Sequence, residues 1–72
     1  MGRVYLVFRS THETLKAESV LAVAGLPCKV VVKPASIRLD CGLAVRTDPG
    51  QQDTALAALR QAGLEPRGVF NL

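Results

Sequence analysis

Two Ala-Gly-Leu tripeptides, Ala24-Gly25-Leu26 and Ala62-Gly63-Leu64, stand 38 residues apart in a chain of 72. The same offset pairs Leu21 with Leu59, Ala17 with Ala55, Glu13 with Gln51 and Ser10 with Asp48. It also pairs Val7 with Val45 and Val31 with Val69, and the paired residues are expected to share a structural role. A chain that repeats one pattern twice in this length has room for little except two copies of one supersecondary unit around one core.

Each copy reads as a helix with defined ends. Ser10 and Asp48 are expected N-caps, with Glu13 and Gln51 at the capping-box spacing that satisfies backbone donors at a helix start. Pro49 suits the first helical position of the second helix. Gly25 and Gly63 supply the left-handed residue that ends each helix, Leu26 and Leu64 fold back onto the last turn, and Pro27 and Pro66 forbid continuation. The spacing predicts a first helix over 11–24 with an inner stripe of Ala17, Val20, Leu21 and Ala24. A second is predicted over 49–62, facing inward with Ala55, Leu59 and Ala62 and flanked by Leu56 and Ala58.

The segments between are strand-like. Residues 4–8 and 29–32 are rich in valine and aromatics, and 43–46 and 68–72 complete a β-α-β-β-α-β order. Two right-handed βαβ crossovers interleaved in one antiparallel sheet make an α+β, ferredoxin-like (split βαβ) domain. The expected strand order is 4-1-3-2, with both helices on one face and one domain over residues 1–72. Alternation along the first strand sends Val4, Leu6 and Phe8 one way and Tyr5 and Val7 the other. Both sets are apolar, so Tyr5, Val7 and Val31 are expected on an open sheet face, where a homodimer could form.

Charge and length narrow the function. The net charge of +3, from nine Lys and Arg against six Asp and Glu, is mild and scattered. No apolar run approaches the roughly 20 residues of a membrane span, and the N-terminus lacks the form of a signal peptide. These features favour a cytoplasmic protein without membrane partners, whose two cysteines are free thiols. One histidine and two separated cysteines make no metal-ligand set. No cofactor-binding motif stands out either.

The connection between the middle strands, Lys33 to Cys41, is longer than a hairpin needs, and loops of that kind often carry function. Topology sets Cys41 beside Ser10, Thr11 and His12 at the start of the first helix, where partial positive charge favours a thiolate. Arg9, Lys33 and Arg38 belong to the same end and add cations. Gly42 leaves room beside the sulfur for a bulky donor, and His12 is a weaker candidate for ion pairing or proton transfer. The plainer alternative makes Cys41 a small, half-buried residue at a strand start. Cys28 is expected at the other end of the hairpin, roughly 15 Å away, beyond disulfide reach and inert.

In order and spacing, Phe8, Ser10-Thr11-His12-Glu13, Lys16-Ala17-Glu18, Ala24-Gly25-Leu26-Pro27 and Cys41-Gly42-Leu43-Ala44-Val45-Arg46 resemble the selenium/sulfur (Se/S) carrier protein-like family of short proteins of unknown function. The resemblance implies a carrier and not an enzyme. Cys41 would hold a persulfide or selenopersulfide, and sulfur- or selenium-transfer proteins would act as donor and acceptor. It also implies roles for Ser10, Thr11 and His12 at the helix start. A rival reading is a ligand-sensing ferredoxin-like module acting as a dimer without thiol chemistry. Nucleic-acid binding is disfavoured, because only Tyr5, Phe8 and Phe70 could stack bases and alternation sends some of them to the core.

Overall fold

The computed structural model describes residues 2–38 and 42–72. Its elements are β1 (Val4–Val7), α1 (Thr11–Val23), β2 (Cys28–Val32), β3 (Leu43–Thr47), a 3-10 turn (Pro49–Gln51), α2 (Gln52–Gln61) and β4 (Gly68–Asn71). The four strands form one antiparallel sheet in the order β2-β3-β1-β4, which is the expected topology.

The helix ends obey the repeat. Gly25 and Gly63 both sit at φ 78°, a conformation that other residues rarely adopt. Gly25 N–H donates to the Ala22 carbonyl at 3.0 Å and Leu26 N–H to the Leu21 carbonyl at 2.9 Å. In the second copy Gly63 N–H donates to Arg60 at 3.0 Å and Leu64 N–H to Leu59 at 2.9 Å. These two pairs are Schellman closures, identical at an offset of 38.

The helix starts differ. Ser10 is extended, and its Oγ accepts the Glu13 N–H at 3.3 Å. Asp48 makes no side-chain capping bond, and the chain after Pro49 turns as a 3-10 segment before α2 begins at Gln52. The capping box expected at Asp48 therefore does not form. The tighter 3-10 turn brings the Gln51 N–H to the Asp48 carbonyl instead, at 2.9 Å.

The main core lies between the helices and one sheet face. Val4, Leu6, Phe8 and Val45 meet Ala17 and Leu21 of α1 and Ala55 and Leu59 of α2, with Leu64 closing the edge. Burying side chains of this size contributes roughly 1.5–3 kcal/mol each, against the backbone entropy of ordering the chain. Ala24 and Ala62, expected inside, are exposed, because each stands at the C-cap where the helix leaves the sheet. Thr14 is buried in their place, its hydroxyl donating to the Ser10 carbonyl at 3.0 Å.

The repeat slips in the strands. Val45 and Val69 face the helices, whereas Val7 and Val31 belong to a second cluster on the opposite face. The 38-residue offset that holds for the helices thus puts strand residues on opposite sides, contrary to the shared role expected for them. A shift of one restores the match: Leu6 with Val45, Tyr5 with Ala44, and Val31 with Phe70 share faces. Side chains alternate with period two, so a one-residue difference in the strand-to-helix turn inverts the face.

The helix-free face is also less open than expected. Val7 is fully buried, and Ile37 of the β2–β3 connection, 2% exposed, packs with Val7 and Ala44. The connection folds back over the sheet because Val7, Val31 and Ala44 leave an apolar strip that water would otherwise wet. Tyr5 and Val31 remain half-buried beside this cluster.

Candidate functional site

The site proposed from sequence lies where β1 ends, α1 begins and β3 starts. Leu6 pairs with Val45, and continuing that antiparallel register sets Leu43 level with Phe8 and Gly42 level with Arg9. Ser10 follows as the N-cap of α1. Gly42 and the Ser10-Thr11-His12 segment therefore share one end of the sheet. Arg67 joins them, because its N–H donates to the Val7 carbonyl at 2.7 Å. Sequence reasoning missed Arg67; its signal was its place just before β4, which must start where β1 ends.

Cys41, with Leu39 and Asp40, lies outside the described residues. The chain on either side of them is defined. Lys33 N–H donates to the Gly42 carbonyl at 2.8 Å and ties the base of the connection. Ile37 N–H donates to the Pro34 carbonyl at 3.0 Å, closing a turn at the start of the loop. The Lys33 ammonium donates to the Ile37 carbonyl, so this cation serves the loop's own backbone. Arg38, Arg9, Thr11 and His12 are exposed.

Gly42 is exposed and does not need glycine's conformational freedom. A Cβ built on it meets none of the described atoms within 4 Å. Packing thus gives no reason for a glycine at this position. Its open surroundings leave space for an approaching molecule. Ser10 Oγ is occupied by the Glu13 N–H, so it acts first as a cap.

Cys28 stands apart from this end. It pairs with Thr47, four residues along β3 from Leu43, or about 14 Å at the strand rise. It is a free thiol packed against the main core, with Sγ 4.0 Å from the Glu18 carbonyl oxygen. Burial, then the Glu18 charge, push its pKa above the ordinary thiol value, which disfavours the reactive thiolate. Among the described residues no cluster of three His, Cys, Asp or Glu could hold a metal ion, and no helix is long and apolar enough to cross a membrane.

A second feature occupies the far end of the sheet and draws its lining from both faces. A cleft of about 240 Å³ is lined by Arg3, Lys29, Arg46 and Asp48, among others. Nothing in the sequence pointed to it, since its lining comes from three separate segments, around Arg3, Lys29 and Arg46.

No curated protein and no solved structure matches the chain. One family model, described as "Putative Se/S carrier protein-like", matches residues 3–71. The match takes in both βαβ halves and the Cys41-Gly42 pair between them, and on that match the chain belongs to the Se/S carrier protein-like family.

Proposed function

We propose that this protein carries sulfur or selenium on Cys41, as a persulfide or selenopersulfide, between partner proteins. The observation that carries the reading is the family match across residues 3–71. The geometry around the described ends of the loop supports it. Gly42 opens to solvent at the end of the sheet where α1 begins, and the exposed Arg9 and Arg67 stand at the same end of β1 and β4. A helix N-terminus and nearby cations favour a thiolate over a thiol.

The chemistry is thiol–disulfide exchange in form. The Cys41 thiolate attacks the terminal sulfur of a donor persulfide. A new S–S bond forms at Cys41, the donor S–S bond breaks, and the donor leaves as its thiolate. An acceptor thiolate then attacks the terminal sulfur on Cys41 and regenerates the Cys41 thiolate. The sulfane sulfur keeps its oxidation state throughout, so no external oxidant or reductant is required. Selenium follows the same path. Gly42 admits the donor, His12 is a candidate to pair with the anion, Ser10 caps the helix start, and exposed Thr11 is a candidate contact beside it. Lys33 steadies the loop through the Ile37 carbonyl, and exposed Arg38 is a candidate cation for the incoming anion. Donor and acceptor supply the driving force, so the protein works as a carrier and not an enzyme.

The test is the rate of alkylation of the native protein against pH, mapped separately to Cys41 and Cys28. Cys41 is expected to react with an apparent pKa below the roughly 8.5 of a free thiol, and Cys28 to stay protected. Incubation with a persulfide donor should then add one sulfur at Cys41. Equal, slow reaction of both thiols would overturn the carrier reading and favour a ligand-sensing module.

A further inference from the structure

Two half-buried aromatics, Tyr5 and Phe70, come together on the helix-free face in a row with two cations. Tyr5 pairs with Phe70 on one side and with Arg46 on the other, and Arg46 pairs with Lys29. The row Lys29–Arg46–Tyr5–Phe70 therefore crosses all four strands in register, over about 14 Å at the usual interstrand spacing. Phe8, the third aromatic, is in the helix-side core. Tyr5, Phe70 and Arg46 are half-buried and Lys29 is exposed. Tyr5 and Phe70 pack against the neighbouring cluster of Val7, Ile37 and Ala44 and are covered by it in part.

Arg3 lies two residues before Tyr5 and thus on the same face, its backbone paired with Leu72 at 2.8 and 2.9 Å. Arg3, Lys29 and Arg46 together line the cleft at this end of the sheet. One acid, Asp48, stands among them. Among the described residues the one ion pair is Arg60 with Glu65, so these three cations are not neutralised by a described carboxylate.

We propose that this face binds single-stranded nucleic acid, with bases stacked on Tyr5 and Phe70 and phosphates held by Arg3, Lys29 and Arg46. Flat aromatic rings beside cations suit a ligand that alternates planar bases with anionic phosphates, and four-stranded sheets of this build stack two or three bases in that way. A second copy of the chain suits the face less well, since a two-fold dimer would bring the three cations of both copies into one interface with no ligand anion to offset them. The surface is distinct from the end of the sheet that holds Gly42 and does not rest on the carrier reading.

Tyr5 is the single tyrosine and the chain has no tryptophan, so intrinsic emission reports on this face directly. The experiment titrates the protein into a labelled single-stranded RNA dodecamer, and into DNA of the same sequence, following anisotropy and Tyr5 emission over a range of salt. Binding with quenched Tyr5 emission is expected. Three phosphate contacts give a slope of log affinity against log salt of about −2, from −0.7 per contact on single strands. The Lys29→Gln/Arg46→Gln variant should shrink that slope by about two-thirds, and Phe70→Ala should weaken binding about ten-fold or more. Urea midpoints check that the variants fold, and Cys41→Ser should bind as the wild type does. The proposal is overturned by no anisotropy change at low salt. It is equally overturned by inorganic polyphosphate competing as well as RNA without quenching Tyr5, or by an affinity that Lys29→Gln/Arg46→Gln leaves unchanged.

Discussion

Ile37→Ala tests whether the β2–β3 connection is a packed part of the structure or a loose strap. Ile37 is 2% exposed and packs with Val7 and Ala44 on the helix-free face. Truncation removes three carbons beyond Cβ, at about 0.8 kcal/mol each, so the transfer loss is about 2.4 kcal/mol. A residual cavity can raise the cost of such a change towards the top of a range of about 2–5 kcal/mol. Here the loop can settle into the gap, and it can also undock without unfolding the sheet. The loss cannot exceed the free energy of docking, so the expected value is about 2 kcal/mol. For 72 residues the total stability is of the order of 4–11 kcal/mol, which makes this a large fraction. Urea unfolding followed by far-ultraviolet circular dichroism is the assay. With a slope of about 1 kcal/mol/M for so small a domain, the midpoint should fall by about 2 M. The native alkylation rate of Cys41 should change as well, because Ile37 anchors the segment that leads to it. A loss under about 0.5 kcal/mol with unaltered alkylation would refute the docking of the loop.

Other substitutions separate backbone, capping and protonation effects. Gly25→Ala and Gly63→Ala should each cost about 1–2 kcal/mol by thermal or urea unfolding, since both glycines sit at φ 78° and no described atom lies within 4 Å of the added Cβ. Ser10→Ala should cost about 1 kcal/mol and Asp48→Ala less than about 0.5, because only Ser10 makes a side-chain cap bond. The thiol of Cys28 has a raised pKa in the folded state, so the folded protein keeps this proton after the unfolded chain has lost it. The stabilising contribution is therefore complete below the unfolded thiol value of about 8.5 and is lost as pH rises through the folded one. Urea midpoints from pH 7 to 10 should fall more in the wild type than in Cys28→Ala.

The helices were legible because their signals are local. A glycine at the left-handed position and a serine three residues before a glutamate each specify a few backbone bonds, and both Schellman closures and the Ser10 cap formed as read. Asp48 shows the limit. Its spacing to Gln51 imitates a capping box, yet the proline that follows leads into a 3-10 turn, and the side-chain bond is lost. The strand faces were harder. An offset measured on the helices carries into the strands only if the turns between them have equal length, and here they differ by one residue. That difference sent Val7 and Val45 to opposite sides. The course of the β2–β3 connection was not legible, because it has no counterpart in the second copy and depends on the packing of Ile37 with Val7 and Ala44.

Charge was the least legible property, although every charged residue is visible in the sequence. Nine cations scattered along 72 residues read as a solvated surface. Antiparallel pairing then gathers residues that are distant in sequence. Arg46 stands between Lys29 and Tyr5, and Arg3 comes beside them at the cleft. Arg9 and Arg67 stand at the other end, where β1 finishes and β4 begins. A mild net charge thus resolves into two groups at opposite ends of one sheet, separated by most of a strand length. At physiological salt the screening length is about 8 Å, shorter than that separation. The two groups therefore have little electrostatic influence on each other, and neutralising one should leave the function proposed for the other intact. That independence allows alkylation at Cys41 and nucleic-acid binding at Tyr5 to be judged separately in the same molecule.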